Sequence, residues 1–343
     1  MIKLLKKYWY LFTICLLIDA FMIVTSTVKT NNSIIMPGGL NEVQSLIEVD
    51  STYKQNGSIN TIYVFSMEKA TIMQSFLAGK DANNMVSITN STFDLSYEEQ
   101  NLSGNIQKNQ SIEACLICAY ETAHQNYPEI TLDYRFKGFI VYTKQKRQKK
   151  IEIGDIIYQV MQDGKLIDGN DINALVTAIN SLKKGDTLYL ERNGSNLVYQ
   201  LTEDFDYKEK MNCIYAYQKF EINAENSYPS FSLHRSNTQG PSGGLLQTLS
   251  VYSQITGIDY TNGLKIAGTG MIYASGKVGE IGGIKQKVIT ALKNNVDIFI
   301  CPASQYDDAY EAWTSKRNHE RMKLIKASTF DELIARLGEL YAS

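Results

Sequence analysis

The sequence predicts an α/β protein with a β-rich unit at residues 130–205 and an apolar N-terminal helix. Hydrophobic residues make up 44% of the 343 residues and charged residues 20%, so the chain can bury a large core and disorder cannot be its main state. Helical and strand-like patterns alternate over residues 206–343. Short β-like runs separated by glycine turns fill residues 130–205, and an apolar run lies near the N-terminus.

Residues 1–30 predict a single-pass membrane anchor. Lysines at positions 3, 6 and 7 precede an apolar run from 8 to about 28, and a membrane helix needs about 20 apolar residues. Basic residues before such a run favour an N-terminus on the cytoplasmic side of the membrane and a protein body on the outer side. A cleaved signal peptide is the alternative, although no clear small-x-small cleavage site follows the run. Asp19 opposes insertion, because a charged carboxylate at mid-bilayer costs about 2.5 to 3.5 kcal/mol.

The charge balance and the cysteines argue against several classes of function. Lys and Arg total 34 against 36 for Asp and Glu, so no net positive field attracts nucleic acid. Cys115 and Cys118 form a C-x-x-C pair within a helical pattern, which predicts two small buried hydrophobic residues. No second such pair completes a zinc site, and no G-x-x-x-x-G-K-[ST] phosphate loop is present. We therefore expect no metal, no cofactor and no ATPase activity.

Two β-containing segments precede the α/β part. Residues 31–129 predict a small β layer with strands in SLIEVD and INTIYVFSM, followed by a helix from about 106 to 123. Residues 130–205 predict the order strand, turn, strand, helix, strand, turn, strand.

The second of these segments resembles a PDZ domain. Gly154-Asp155 precedes a β pair, a helix is predicted near Asp171 to Leu182, and Gly185-Asp186 forms the next turn. PDZ domains bind an extended peptide by strand addition, and a glycine-containing loop takes its terminal carboxylate. The resemblance implies that this loop consists of Phe136, Lys137, Gly138 and Phe139. A spacer without binding activity is the alternative, because G-D turns occur in many β proteins.

A serine-containing turn is the first candidate for chemistry. The run Gly240-Pro241-Ser242-Gly243-Gly244 places a hydroxyl group directly before a predicted helix. Glycines allow a substrate to approach closely, and free N–H groups at a helix start can hold a developing oxyanion. Taken alone, the motif fits an ordinary N-cap serine better.

A lysine-containing turn is the second candidate. Lys285 follows Gly282-Gly283-Ile284 at the start of another predicted helix. A lysine can serve as general base for a serine hydroxyl only when its amine is neutral, which requires lowering a pKa of about 10.4 by about three units. A solvated lysine at a helix end is the alternative.

Together, the two motifs resemble the proteolytic domain of the Lon family, in which a Gly-Pro-Ser-Ala-Gly serine and a Gly-Gly-[Leu/Ile]-Lys lysine form a catalytic dyad. The serine and the lysine lie 43 residues apart here, close to the family separation. The resemblance implies Ser242 as nucleophile and Lys285, not Lys287, as base, because Lys285 directly follows the double glycine and Ile284. Thr269 matches a family threonine that supports the lysine.

Two residues depart from the family pattern. Gly243, a supporting residue next to the nucleophile, stands where alanine is usual in the family. Gln239 stands where many ATP-dependent members have an acidic residue. Neither departure removes the dyad.

A weaker resemblance to the first half of a Lon proteolytic domain covers residues 31–129, so the PDZ-like unit would be an insertion. This arrangement is similar to the PDZ-containing Lon-like proteases anchored at the surface of Gram-positive bacteria. It implies an ATP-independent serine endopeptidase that cleaves extracytoplasmic peptides or flexible protein segments. Lon-type domains commonly form rings, which makes a homo-oligomer possible.

Two other functions remain open at the level of sequence. One is a non-catalytic PDZ adaptor on a protease scaffold, and the other is a Ser/Lys amidase that acts on a small amide. A Ser-His-Asp triad is disfavoured, although His234 lies eight residues before Ser242, because none of the three histidines lies in a motif that directs an imidazole at the serine.

Overall fold

The computed structural model describes residues 2–88, 95–145, 148–205, 213–317 and 319–342. The helices are α1 (Ile2–Thr27), α2 (Ile72–Ala78), α3 (Tyr97–His124), α4 (Ile172–Ile179), α5 (Gly244–Thr256), α6 (Ile284–Lys293), α7 (Tyr306–Thr314) and α8 (Phe330–Ala342). The strands are β1 (Asn32–Glu42), β2 (Ile47–Val49), β3 (Ser58–Met67), β4 (Met85–Ile88), β5 (Thr131–Lys144), β6 (Ile156–Gln162), β7 (Lys165–Asp168), β8 (Thr187–Arg192), β9 (Ser195–Gln200), β10 (Ile214–Tyr228), β11 (Phe231–Leu233), β12 (Lys265–Gly268), β13 (Met271–Ile272), β14 (Val278–Gly279), β15 (Ile298–Pro302) and β16 (Lys323–Ala327).

A six-stranded mixed sheet organises the α/β part, in the order β16-β15-β12-β3-β1-β4. The strands from β16 to β3 are parallel to one another, and β1 and β4 extend the sheet in antiparallel pairing. Because β3 comes from the first predicted segment and β12 from the last, these two segments share one sheet. The predicted α/β class is confirmed.

Alternating strand residues divide the core into two layers around this sheet. In β15, Ile298 and Ile300 pack with residues of α3, α5 and α8 on one face. Phe299 and Cys301 pack with residues of α6 and α7 on the other face. This alternation is the period-2 pattern of a strand covered by helices on both sides.

The N-terminal helix and α3 follow the sequence expectations with different bounds. Within the described chain, one helical stretch, Lys7–Thr27, is long and apolar enough to cross a membrane. The helix α3 begins at Tyr97, earlier than expected, because Ser96 and Glu99 form a capping box at its start. Cys115 and Cys118 are both buried in α3, as expected for structural residues.

A second sheet has the order β10-β5-β6-β8-β9, with β7 paired to β6, and it has its own hydrophobic core. Two hairpins and α4 follow the order predicted for residues 130–205, and Asp171 caps α4 by accepting the Ala174 N–H at 2.9 Å. The sheet itself continues to Tyr228, because β10 pairs with β5 from Ile214↔Lys144 to Tyr228↔Thr131. The second sheet and its core therefore extend beyond residue 205, which was expected to be the end of the insert, and include β10.

The structure contradicts the predicted carboxylate-binding loop. Phe136, Lys137, Gly138 and Phe139 lie inside β5 and not in a loop. Phe136 pairs with Phe220 of β10, and Phe139 pairs with Gln218 on one side and with Ile157 of β6 on the other. Among the described residues, β6 pairs with only the last of these four residues, and the stretch is an extended strand and not the predicted loop.

Candidate active site

A cleft of about 770 Å³ carries both Ser242 and Lys287 on its wall. Residues of β3, the segment before Ser242 and the first turn of α5 form much of the remaining wall, and residues of the segment 41–46 and Lys108 also line the cleft. Thr269, which directly follows the central strand β12, connects the two residues by hydrogen bonds. In parallel α/β sheets, ligands commonly bind at such carboxyl ends of strands.

Ser242 lies in the tight turn that leads into α5. Its carbonyl oxygen accepts hydrogen bonds from the Gly270 N–H at 2.9 Å and from the Thr269 hydroxyl at 3.0 Å, so the turn is fixed to the end of β12. Among the described residues, none accepts a hydrogen bond from the backbone N–H of Ser242 or of Gly243. These two groups are therefore available to an anionic oxygen at the start of α5.

Lys287 is 2% exposed, although it is a lysine in the first turn of a helix. It shares the core-facing side of α6 with Ile284, Val288 and Ala291, which is the spacing of one helix face. Its Nζ donates a hydrogen bond to Thr269 Oγ1 at 2.9 Å, and within the described ranges no carboxylate lies within 4.0 Å of it. Burial lowers the pKa of Lys287 to about 7, so much of the amine is neutral at physiological pH.

The assignment of Lys285 as the base is wrong. Its side chain is 40% exposed, and its Nζ lies 2.6 Å from Glu311 Oε2 and 3.4 Å from Asp308 Oδ1 of α7. The hydrogen bond to Glu311 and the neighbouring Asp308 raise the pKa of Lys285. Positions 285 and 287 lie about 200° apart around a helix, so only one of them can face the cleft.

Gly283 explains how α6 brings Lys287 so close to the sheet. This residue begins α6 with φ 71°, a conformation that favours glycine. A β-carbon there would lie 3.1 Å from Ile35 Cγ2 and 3.4 Å from Val64 Cγ1. The start of α6 thus packs directly against β1 and β3, and the lysine one turn later is buried.

Gly243 and Gln247 shape the cleft beside the serine. A β-carbon at Gly243 would lie 3.0 Å from Thr61 Cγ2 and 3.2 Å from Gln247 Nε2, which accounts for glycine where alanine is usual in the resembling family. Gln247 is 6% exposed, and its Oε1 has no hydrogen-bond partner in the part of the chain that the structure describes.

Other candidate residues lie away from this site. His234 Nε2 lies 3.0 Å from Glu48 Oε2 on the wall of a separate cavity, so the structure does not support a Ser-His-Asp triad. Burial raises the pKa of Cys118 to about 12, which makes its thiol unreactive. Across the described ranges, no group of three or more His, Cys, Asp or Glu side chains could hold a metal ion.

Sequence reasoning missed two residues that the structure brings to Ser242, and it rejected a third, Lys287. Lys287 and Gln247 line the cleft, and Tyr217 lines a second cavity at Ser242. The helix periodicity of α6 could have identified Lys287, because it falls in the apolar stripe. No local pattern points to Gln247 or Tyr217, whose positions depend on tertiary packing.

Comparison with known proteins finds a similarity in the part of the chain that contains Ser242, Thr269 and Lys287. Residues 235–338 match the C-terminal proteolytic domain of Lon protease, family S16. The Lon protease of Neorickettsia sennetsu is 35% identical over 95 residues, which is 28% of this chain and 11% of that protein. Residues 235–338 are thus similar to a Lon-type proteolytic domain, and the chain spans about a tenth of the length of this curated relative.

Proposed function

We propose that the chain is an ATP-independent serine endopeptidase in which Ser242 is the nucleophile and Lys287 is the general base. The observation that carries the proposal is the buried, unpaired lysine, which is joined through Thr269 to the serine turn. A lysine with a pKa of about 7 can accept a proton at neutral pH, whereas an ordinary surface lysine cannot. A non-catalytic adaptor would have no need of such a lysine.

The reaction begins when Ser242 Oγ attacks the carbonyl carbon of the scissile peptide bond and Lys287 Nζ takes the hydroxyl proton. The negative charge that develops on the carbonyl oxygen is held by the N–H groups of Ser242 and Gly243 at the start of α5. Lys287 then gives its proton to the departing amine. Water hydrolyses the resulting ester of Ser242, again with Lys287 as the base, and the hydroxyl is regenerated.

Thr269 has a positioning role in this scheme. Its hydroxyl donates to the Ser242 carbonyl oxygen, which leaves its oxygen to accept a hydrogen bond from Lys287 Nζ. The amine is thereby held in one rotamer against the wall of the cleft, as a general base must be.

The second sheet is proposed to capture substrate as an extended peptide. It has its own core, and among the described residues its terminal strand β9 pairs only with β8, so its outer edge can accept another strand. The role of a carboxylate-binding loop is not proposed for Phe136 to Phe139, because these residues lie inside β5.

The location of the enzyme is proposed from α1. Its apolar side chains from Trp9 to Val24 are largely exposed and do not pack into the core of the protein, which fits a helix surrounded by lipid. With the basic N-terminus inside, the catalytic body lies outside the cell membrane. Peptides and flexible protein segments there would be the substrates, and a homo-oligomer remains part of the proposal.

Replacement of Ser242 by alanine tests the proposal. We expect Ser242→Ala to abolish peptide cleavage and labelling by a serine-directed electrophile such as a peptide boronate, with an unchanged circular dichroism spectrum. Ser236→Ala is the matched control, because Ser236 lines the same cleft but lies outside the turn before α5. Full activity in Ser242→Ala would exclude the mechanism. Length dependence of the cleaved peptides separates an endopeptidase from an amidase.

A further inference from the structure

Ser242 borders a second cavity in addition to the cleft that contains Lys287. This cavity has a volume of about 380 Å³, and its wall includes Gln107 of α3, Pro241 and Ser242 of the serine turn, and Met271 of β13. The loop between β14 and α6 supplies residues 280–282. Ser242 therefore borders two separate spaces, either of which could take part of a bound substrate chain.

Tyr217 closes this cavity from outside the matched proteolytic domain. It lies on β10 of the second sheet, opposite Ile140 of β5. Its ring stacks on Tyr142, with ring centroids 4.3 Å apart and an angle of 17° between the ring planes. Because β5 and β10 pair along their length and Tyr142 supports the ring, Tyr217 forms a fixed wall.

The wall combines apolar and polar residues. Its apolar part comes from Tyr217, Pro241, Met271 and Ile281, and Gln107 and Ser242 are polar. Glu280 is exposed and also lines the cavity. A space with these walls favours an apolar side chain by burial and disfavours an acidic one by charge repulsion.

We propose that this cavity binds the side chain of the substrate residue on one side of the scissile bond, and that Tyr217 limits the size of that side chain. The ligand is a long aliphatic or aromatic residue, such as leucine or phenylalanine, in an extended peptide. This inference rests on the proposed peptidase function. It gives the second sheet a direct part in selecting the cleaved bond, besides any part in capturing the peptide.

The test uses the full chain in a mild detergent and peptides that differ only at the residues flanking the cleaved bond. At one of the flanking positions, we expect kcat/KM of the wild-type protein to fall about tenfold or more from leucine to alanine, as for other apolar pockets. Aspartate at that position should be cleaved less well still.

Three variants of Tyr217 separate selectivity from folding. Tyr217→Ala should remove the preference for leucine over alanine at this position and admit larger residues. Tyr217→Phe keeps the ring and should keep the preference, and Tyr217→Trp should favour alanine over phenylalanine because it fills the cavity. Tyr189→Ala is the control, because Tyr189 lies on β8 of the same sheet and does not line the cavity.

The outcomes distinguish this inference from the function on which it rests. If Tyr217→Ala and Tyr217→Trp lower kcat/KM by the same factor for all peptides, Tyr217 has only a structural role and the inference is wrong. If cleavage depends on Ser242 but selectivity is unchanged in both variants, the inference fails and the peptidase function stands. If the wild-type protein cleaves no peptide, both fail.

Discussion

Replacing Lys287 with methionine should abolish activity and make the protein more stable. The buried amine has a pKa lowered from 10.5 to about 7, so charging it costs more in the folded protein than in the unfolded chain. A difference of this size destabilises the fold by roughly 4 kcal/mol at pH 7. Methionine has a similar length and no charge, and replacing buried charges with apolar groups is often stabilising.

The stabilisation should depend on pH in a defined direction. The unfolded chain binds the additional proton between pH 7 and 10.5, so the wild-type protein gains stability relative to the variant as pH rises through this window. The advantage of Lys287→Met should shrink to roughly 2 kcal/mol at pH 9 and vanish above the unfolded pKa. It should stay at its maximum below pH 7.

Urea unfolding of the full chain in a mild detergent, at pH values from 6.5 to 9.5, measures this difference. Lys285→Met is the control, because Lys285 is exposed and paired with Glu311. Exposed ion pairs contribute about 0 to 1 kcal/mol, so this variant should show little change in stability. A difference between Lys287→Met and wild type that is constant over the pH range, or a less stable Lys287→Met at every pH, would refute the assignment of a neutral buried lysine.

Three further predictions concern activity and recognition. The kcat/KM for peptide cleavage should rise with pH through about 7, because Lys287 loses its proton there. Lys287→Arg should be inactive, whereas Lys285→Arg should keep most activity. A rate–pH profile of the wild-type protein and of each variant measures these effects. Thr269→Val should lower kcat by about tenfold or more with little effect on KM, whereas Thr269→Ser should retain activity. Equal cleavage rates for these two variants would exclude the positioning role of Thr269. Replacing residues 145–213 by Asn-Gly should close β5 and β10 into a hairpin, because Lys144 and Ile214 are paired. This variant should lose cleavage of the native peptide more than cleavage of a short generic one, and equal loss on both would assign the removed part a structural role.

Sequence patterns predicted much of the fold because the patterns are local. The alternating core residues of β15, the helix face of α6 and the turn before α5 all have short periods that can be recognised in a single sequence. The order of elements between 130 and 205 was predicted for the same reason. The partners of β5 were not, since β10 pairs with it from 70 or more residues away.

In the site, too, local features could be predicted from the sequence and features that depend on tertiary packing could not. Ser242 was proposed from its local turn, and the lysine was assigned by its position after a double glycine and not by its helix face. Lys287 falls in the stripe of Ile284, Val288 and Ala291, whereas Lys285 faces the acidic side of α7. An amphipathic helix would normally place a lysine outside this stripe, and an exception to that rule is itself a sign of function.

The short connection between α1 and the sheet determines how the enzyme can meet its substrates. Helix α1 ends at Thr27 and strand β1 begins at Asn32. Two hydrogen bonds fix the residues between them to the start of α2. The Thr30 N–H donates to the Ala70 carbonyl oxygen at 2.9 Å, and the Ile72 N–H donates to the Val28 carbonyl oxygen at 3.2 Å. With α1 in a bilayer, the protein body cannot rotate freely on a tether. Ser242 would then stay at one height above the lipid surface, and only bonds presented at that height could be cleaved.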